Sequence, residues 1–292
     1  MSQFKTPLRY PGGKQKLAPF VHEILLTNDL LGGEYAEPYA GGAGVAIELL
    51  LNKYVKKIHL NDASRPIYAF WHSILNETEQ FCRKIRRASM TVSEWRKQKE
   101  IFSRPHDVDL FELGFSTFFL NRCNRSGILS AGLIGGLKQD GKWKMDARFP
   151  RNDLITRIES IALKKKHIRL RNWDAERFIT QYLPRLPENS LVYCDPPYFK
   201  KADRLYLHHY KPEDHQRIAK TIQRQISQPW IVSYDGVPEI LECYAERNKF
   251  LYELQYNASS AYKGSEVIVF SDKTKIPHQS SLSYIDAGLA TN

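Results

Sequence analysis

Cysteine is scarce in this 292-residue chain. Cys82, Cys123, Cys194 and Cys243 are the only four, far apart and without a C-x-x-C spacing. That excludes a disulfide framework and a cysteine-based zinc site, and it fits reducing, cytoplasmic conditions. Long apolar runs are also missing, and no stretch approaches the roughly 20 residues of a membrane-spanning helix. The opening Met1-Ser2-Gln3-Phe4-Lys5-Thr6-Pro7 lacks the apolar centre of a secretory signal, so none is expected there. The nine histidines form no group at ligand spacing, and His208-His209 reads as a surface pair, so no metal is expected. Acidic side chains are in deficit, 32 against 43 Lys and Arg, which leaves a net charge of +11. A polyanionic partner follows, nucleic acid first and an acidic membrane surface second. Two phosphate-binding signatures are absent as well. With no G-x-G-x-x-G and no P-loop Lys-Ser/Thr, a dinucleotide or a nucleoside triphosphate is disfavoured.

What is present is a core-forming composition, 42% hydrophobic, and an alternation of short apolar runs with amphipathic stretches. Tyr35 to Pro38, Lys57 to Asp62, Ile168 to Arg171, Leu191 to Asp195, Trp230 to Ser233, Phe250 to Tyr256 and Glu266 to Ser271 read as strands. Helical patterns such as Val45 to Leu51 and His215 to Ile226 lie between several of them. The expected fold is α/β, a doubly wound, mostly parallel seven-stranded sheet covered on both faces. The last two strands have only a short link, so they are expected to pair antiparallel. Residues 76–153 break the alternation. They carry a basic helical run, an apolar helix from Phe111 to Leu120, and loops rich in Gly, Arg and Asn, with Gln139-Asp140-Gly141-Lys142 as a hairpin turn. The expected organisation is a discontinuous catalytic domain, 1–75 and 154–274, an inserted subdomain, 76–153, and a frayed polar tail, 275–292.

Three motifs carry chemistry. Asp195-Pro196-Pro197-Tyr198 closes the apolar run Ser190 to Cys194. Two prolines fix the backbone and remove two N–H groups, leaving a carboxylate, outward carbonyls and a ring at a strand end. That set suits a planar base with an exocyclic amine, although a strand-ending turn would also explain it. Glu37-Pro38-Tyr39-Ala40-Gly41-Gly42-Ala43-Gly44 joins a strand to a helix, and its small residues allow close backbone approach to a ligand. A plain tight turn is the other reading. The next strand ends in Asn61-Asp62, where an acidic side chain takes ribose hydroxyls in doubly wound folds. Helix N-capping is its alternative role. An adenosine-containing cofactor without a pyrophosphate fits both segments. Arg9-Tyr10-Pro11-Gly12-Gly13-Lys14 is a turn delivering a lysine, equally readable as a surface turn.

These three motifs, in this order and spacing, resemble the Dam-type (D12 class, α-group) DNA adenine-N6 methyltransferases. Phe118-Phe119-Leu120-Asn121-Arg122 with Ser126-Gly127, and Tyr262-Lys263-Gly264-Ser265-Glu266-Val267, are similar to further family segments, so the likeness runs from Thr6 to Ser271. It implies a class I, Rossmann-like catalytic domain with S-adenosyl-L-methionine as cofactor and double-stranded DNA as partner. It assigns Asp195, Pro196, Pro197 and Tyr198 to catalysis. Cofactor binding would fall to Tyr10, Gly12, Gly13, Lys14, Glu37, Pro38, Tyr39, Gly41, Gly42, Gly44, Asp62, Asp174 and Asp195. The inserted segment would be the target-recognition region, with Arg122, Asn124, Arg125 and Lys142 as its DNA contacts, or else as turn-forming and phosphate-contacting residues. One departure is Ala175, where the family often has an aromatic residue after the aspartate; Trp173 or Tyr39 is then the stacking ring. A cytoplasmic, nucleoid-associated monomer with a cognate restriction endonuclease completes the expectation. The rivals are an RNA adenine-N6 methyltransferase, an inactive DNA-binding relative, and a cytosine-N4 enzyme, which would usually carry serine at position 195.

Overall fold

The computed structural model describes residues 5–9, 14–199, 210–255, 263–277 and 284–285. The glycine pair Gly12-Gly13 and Tyr10, all expected at the cofactor, lie outside the described residues.

Seven strands form one sheet: β1 Glu34–Glu37, β2 Lys57–Asn61, β3 Ile168–Arg171, β4 Ser190–Cys194, β5 Trp230–Asp235, β6 Lys249–Gln255 and β7 Lys263–Phe270. Two residues of the expected tail, Tyr284–Ile285 (β8), extend its edge beside β6. The order is β3-β2-β1-β4-β5-β7-β6-β8. The first five positions are parallel, while β7 enters antiparallel to both β5 and β6. The order reverses between β1 and β4, and there the C-terminal strand ends open a crevice, the usual ligand site of a doubly wound sheet. The central strands β1, β4 and β5 are buried throughout, as required of parallel strands covered on both faces.

Helices α1 Ala18–Thr27, α2 Gly44–Leu51 and α3 Arg65–Asn76 lie on one face, in the hydrophobic cluster that includes Phe20, Ile24, Ile47, Leu49, Phe70 and Trp71. Residues 76–153, the stretch expected as an insertion, hold α4 Thr78–Arg87, α5 Val92–Ser103, α6 Leu110–Cys123 and the start of α7 Arg151–Ala162. Their aromatic core continues that of α3, for Phe70 stacks on Phe118 at 5.9 Å and Phe81 packs edge-on to both. The opposite face holds α8 Ala175–Gln181, α9 Pro212–Gln225 and α10 Pro238–Cys243, around Phe178, Ile218, Ile222 and Ile240.

The hairpin expected at Gln139 to Lys142 does not form. An Asp-Gly hairpin turn needs positive φ at both central residues. Here the left-handed position is Gln139 (φ 52), with Gly135 and Gly136 before it. The Gln139 side chain donates to the Ile134 carbonyl at 2.8 Å and accepts from Met145 N at 2.9 Å. The segment therefore winds around one amide instead of pairing as strands.

Candidate active site

The glycine loop connects β1 to α2 through two left-handed residues, Gly41 (φ 46) and Ala43 (φ 45). A non-glycine residue held there is strained, and strain of this kind gathers at ligand sites. The loop is fastened from three sides. Gly41 N donates to Asp62 Oδ2 at 2.8 Å, Trp71 Nε1 donates to the Gly41 carbonyl at 2.9 Å, and Thr6 Oγ1 donates to the Gly42 carbonyl at 2.5 Å. Asp62 follows β2 and its other oxygen takes Ser64 N at 2.8 Å, so it forms a short turn while Ser64 stands at the helix N-cap. Asn61 ties the neighbouring turns together through the Pro38 carbonyl and both backbone groups of Trp173. Gly44 opens α2 against Gln15, where a Cβ would come within 2.9 Å of that side chain.

Glu37 sits beneath this loop, 4% exposed. Its Oε1 accepts from Tyr35 Oη at 3.0 Å and from Ala46 N in the first turn of α2 at 3.2 Å. Burial raises its carboxyl to a pKa of about 8, although both donors work against the shift. Tyr39 bonds Tyr210 at 3.2 Å. Asp174 caps α8, accepting from Glu176 N at 2.9 Å, and its carboxylate is on the surface. Beside it Ala175 is buried, while the Trp173 ring has the Arg177 guanidinium 4.2 Å from its centroid. Asp62, Asp174 and Asp195 thus follow three strands around the glycine loop. A loop of small residues with the carboxylates of Asp62 and Asp174 beside it fits S-adenosyl-L-methionine, whose ribose hydroxyls and adenine amine are donors that such acceptors would take.

The densest chemistry is at the end of β4. Pro196 and Tyr198 are buried, and Asp195 and Pro197 are half-buried. Asp195 Oδ1 accepts from Ser233 Oγ at 2.7 Å and lies 3.2 Å from Lys14 Nζ. Ser233 in turn accepts from Lys14 at 3.1 Å and from Tyr193 Oη at 2.8 Å. Lys14 also reaches Glu266 Oε2 at 2.8 Å. Glu266 accepts from Tyr198 Oη on one oxygen and from Tyr252 Oη on the other. Phe199 N, just past the motif, donates to Asp235 Oδ1 at 2.9 Å. Burial pushes the Asp195 carboxyl up, Lys14 and Ser233 pull it back, Glu266 pushes again, and the net direction is upward. Burial disfavours the charge on Lys14, but Asp195 and Glu266 outweigh that and hold its pKa well above the usual lysine value.

Ser233, Glu266, Tyr193, Tyr252 and Asp235 were not singled out from the sequence. Their signal was weak but real. Ser233 and Glu266 are polar residues on the inward side of strands that otherwise read as apolar core.

The four expected DNA contacts separate into two pairs. Arg122 and Asn124 are buried and engaged internally, which corrects the expectation that they reach base edges. Arg122 Nε donates to the Arg148 carbonyl at 2.5 Å, and burial beside Arg9 and Arg157 lowers its pKa to about 9. Asn124 accepts from Trp95 Nε1 at 2.8 Å and donates to the Ile128 and Leu129 carbonyls. The apolar helix that precedes them runs on to Cys123 and carries them inward. Arg125 and Lys142 are exposed, and so is Trp143 beside Lys142. Asn121, at the same helix end, receives Arg9 N at 2.7 Å and donates to the Arg9 carbonyl at 2.7 Å. It fastens the backbone of Arg9 to the end of α6.

Among solved structures, an rRNA methyltransferase, aviRa from Streptomyces viridochromogenes, is 11% identical, with a TM-score of 0.38 over 90% of this chain and 87% of that one. A Pyrococcus horikoshii protein whose RNA-methyltransferase role is itself unproven is 12% identical, with a TM-score of 0.41 over 90% and 85%. The methyltransferase domain of a bacterial Hen1 is 11% identical, with a TM-score of 0.35 over 88% and 98%. None of these likenesses bears on what this chain acts on. No curated protein matches the chain. The family model described as D12 class N6 adenine-specific DNA methyltransferase matches residues 10–263, from the segment before Lys14 to the start of β7. The chain belongs to the D12 class of N6 adenine-specific DNA methyltransferases.

Proposed function

We propose that the protein is a site-specific DNA methyltransferase that methylates N6 of a flipped-out adenine in duplex DNA. The observation that carries this reading is Asp195, a carboxylate fixed by Ser233 at the end of β4 beside the buried ring of Tyr198. When bound, S-adenosyl-L-methionine supplies an electrophilic methyl group on a sulfonium. The glycine loop and Asp62 would hold that cofactor, with Asp174 at its adenine.

Adenine N6 is a poor nucleophile, because its lone pair is delocalised into the ring. Asp195 and the Pro196 carbonyl would accept its two N–H bonds, favour a pyramidal nitrogen and aim the lone pair at the methyl carbon. Positioning and oriented charge supply the rate without a covalent intermediate. The Asp195 carboxylate, with its pKa raised, can take up the proton that N6 releases once the new N–C bond exists. The Tyr198 ring would stack on the base. Extruding a paired adenine costs a few kcal/mol, offset by this stacking and by the two hydrogen bonds. The net charge of +11 favours a phosphate-rich substrate, with Arg125 and Lys142 as exposed contacts.

Expression in a host without adenine methylation, followed by modification-sensitive sequencing, tests the reading. N6-methyladenine should accumulate in a recurrent duplex motif, and an RNA arm should stay unmodified. No methylated DNA, or methylation confined to RNA, sinks it. Asp195→Ala should abolish transfer while leaving cofactor binding nearly intact. Normal methylation by that variant would show that the carboxylate has another role.

A further inference from the structure

We propose that Glu266 is the positioning residue of the transfer site, drawing the Lys14 ammonium off Asp195 and anchoring the Tyr198 ring, so that Asp195 stays receptive to an amine. This rests on reading Asp195 as the acceptor of the target N–H.

Lys14 creates a problem that Glu266 resolves. An ammonium and an adenine amine are both donors, and both want the same carboxylate. A lysine buried against a single aspartate forms a closed pair, and little charge is left for an incoming amine. Here one ammonium is shared by two carboxylates. It stands 2.8 Å from Glu266 Oε2 and 3.2 Å from Asp195 Oδ1, with Ser233 Oγ at 3.1 Å as a third partner. One positive and two negative charges leave a net negative charge at the end of β4. Lys14 can move wholly onto Glu266 when an amine arrives, and Ser233 continues to orient Asp195.

Glu266 is built for this. It is 1% exposed on a strand that continues Val267-Ile268-Val269-Phe270, where a carboxylate costs several kcal/mol unless it is fully matched. Three donors match it. Tyr252 lies directly across the antiparallel register on β6, Tyr198 comes from the motif, and Lys14 comes from the N-terminal segment. The same carboxylate therefore sets the ring that would stack on the base and the charge that would compete with it. The Lys14 ammonium also stands 5.1 Å from the centroid of the Tyr198 ring, so both of these Glu266 partners lie in one cluster.

Among the described residues, the titratable groups that act on Asp195 or feel its charge are Lys14, Glu266, Glu37, Tyr193 and Cys194. Glu266 is the charged one that holds the Asp195 carboxyl up, while Lys14 holds it down. Removing the Glu266 charge should lower the Asp195 titration and tighten its pair with Lys14.

The test uses the full chain and the variants Glu266→Gln and Glu266→Asp. Single-turnover methylation of duplex DNA is followed across pH, and the Asp195 carboxyl is titrated by isotope-edited infrared spectroscopy without DNA. Glu266→Gln should lose roughly ten- to a hundredfold in the transfer step, with duplex affinity unchanged. Its acid limb and its Asp195 titration should both move to lower pH. Glu266→Asp keeps the charge, so it should restore the titration even where the rate is only partly recovered. A parent-like rate in Glu266→Gln, or an unmoved Asp195 titration, overturns the proposal. If Glu266→Gln fails to fold, Tyr198→Phe cuts the ring from Glu266 at constant charge. It should slow transfer without moving the titration, and a parent-like rate would count against the anchor. If the parent itself leaves duplex DNA unmethylated, the functional reading fails separately, and the Asp195 titration still decides the arrangement.

Discussion

Glu37 shows how far one buried carboxyl can set the behaviour of a loop. Its pKa of about 8 means that the folded protein holds a proton there which the unfolded chain releases near pH 4.5. For a carboxyl raised in this way, the stability it supports is full below the unfolded value and is lost as pH rises through the folded one. The window is therefore about pH 4.5 to 8, and each unit within it is worth about 1.4 kcal/mol at most. Glu37→Gln keeps an acceptor for Ala46 N and Tyr35 Oη but cannot ionise. Denaturant unfolding of the parent should show stability falling across that window, by several kcal/mol in total. The Gln variant should show a much flatter profile and should be the more stable of the two above pH 8. A parent profile that is flat over the window would mean that Glu37 ionises in place, with water or a cation reaching it beneath the loop.

At the scale of elements, the contact between α3 and α6 holds the insertion to the sheet. Gly114 makes it possible. A Cβ there would meet the Ala69 carbonyl oxygen at 2.5 Å and Ser73 Oγ at 2.6 Å, with no flexible end to give way on the backbone side. Gly114→Ala gains about 1 kcal/mol of helix propensity but faces an overpacking cost of about 1–3 kcal/mol. The backbone clash puts the balance on the destabilising side. Because Asn121, in the last turn of α6, holds Arg9 ahead of Lys14, the helix shift should also slow transfer. Chemical denaturation and a single-turnover rate check the two effects, and an alanine variant as stable as the parent would show that the helices can separate freely. Elements were also where the sequence was most legible. The expected strand Ile168 to Arg171 matches β3 to the residue, where Ile and Leu alternate with Arg at the period of a strand, and β4, a continuous apolar run, lies one position from its expected bounds. The hairpin at Gln139 failed because one amide side chain captured the backbone from within the loop. Arg122 failed for a related reason. A helix of Phe and Leu that continues past Leu120 to Cys123 carries Arg122 and its cap residue Asn124 into the interior. Ser233 and Glu266 were hidden by topology, since no local pattern reveals that β7 slots between β5 and β6.

At the scale of the whole molecule, the net charge of +11 has to be divided between internal and external use. Arg122, Arg157 and Arg151 spend their guanidinium groups on backbone carbonyls, and Lys14 is enclosed between two carboxylates. Pairs such as Arg83 with Glu79 and Arg104 with Glu100 lie along single helices, where they contribute little to stability and are screened by salt. Arg125, Lys138, Lys142 and Lys144 are exposed on the loops that follow α6. Their proposed role is the phosphate-contacting face. Each phosphate that a protein cation neutralises on a duplex contributes about 0.9 to the slope of log affinity against log salt. Lys142→Gln should therefore weaken binding to every duplex sequence alike and make that slope shallower by about 1. Arg125→Gln should do the same if it meets a phosphate, but should relax sequence preference at one position if it meets a guanine edge. Equilibrium binding to methylatable and scrambled duplexes over a salt series separates these outcomes. Unchanged slopes in both variants would move the DNA face away from these loops. The basic run of α4 and α5, with Arg87, Arg96 and Lys97 on its surface, would then be the next stretch to neutralise.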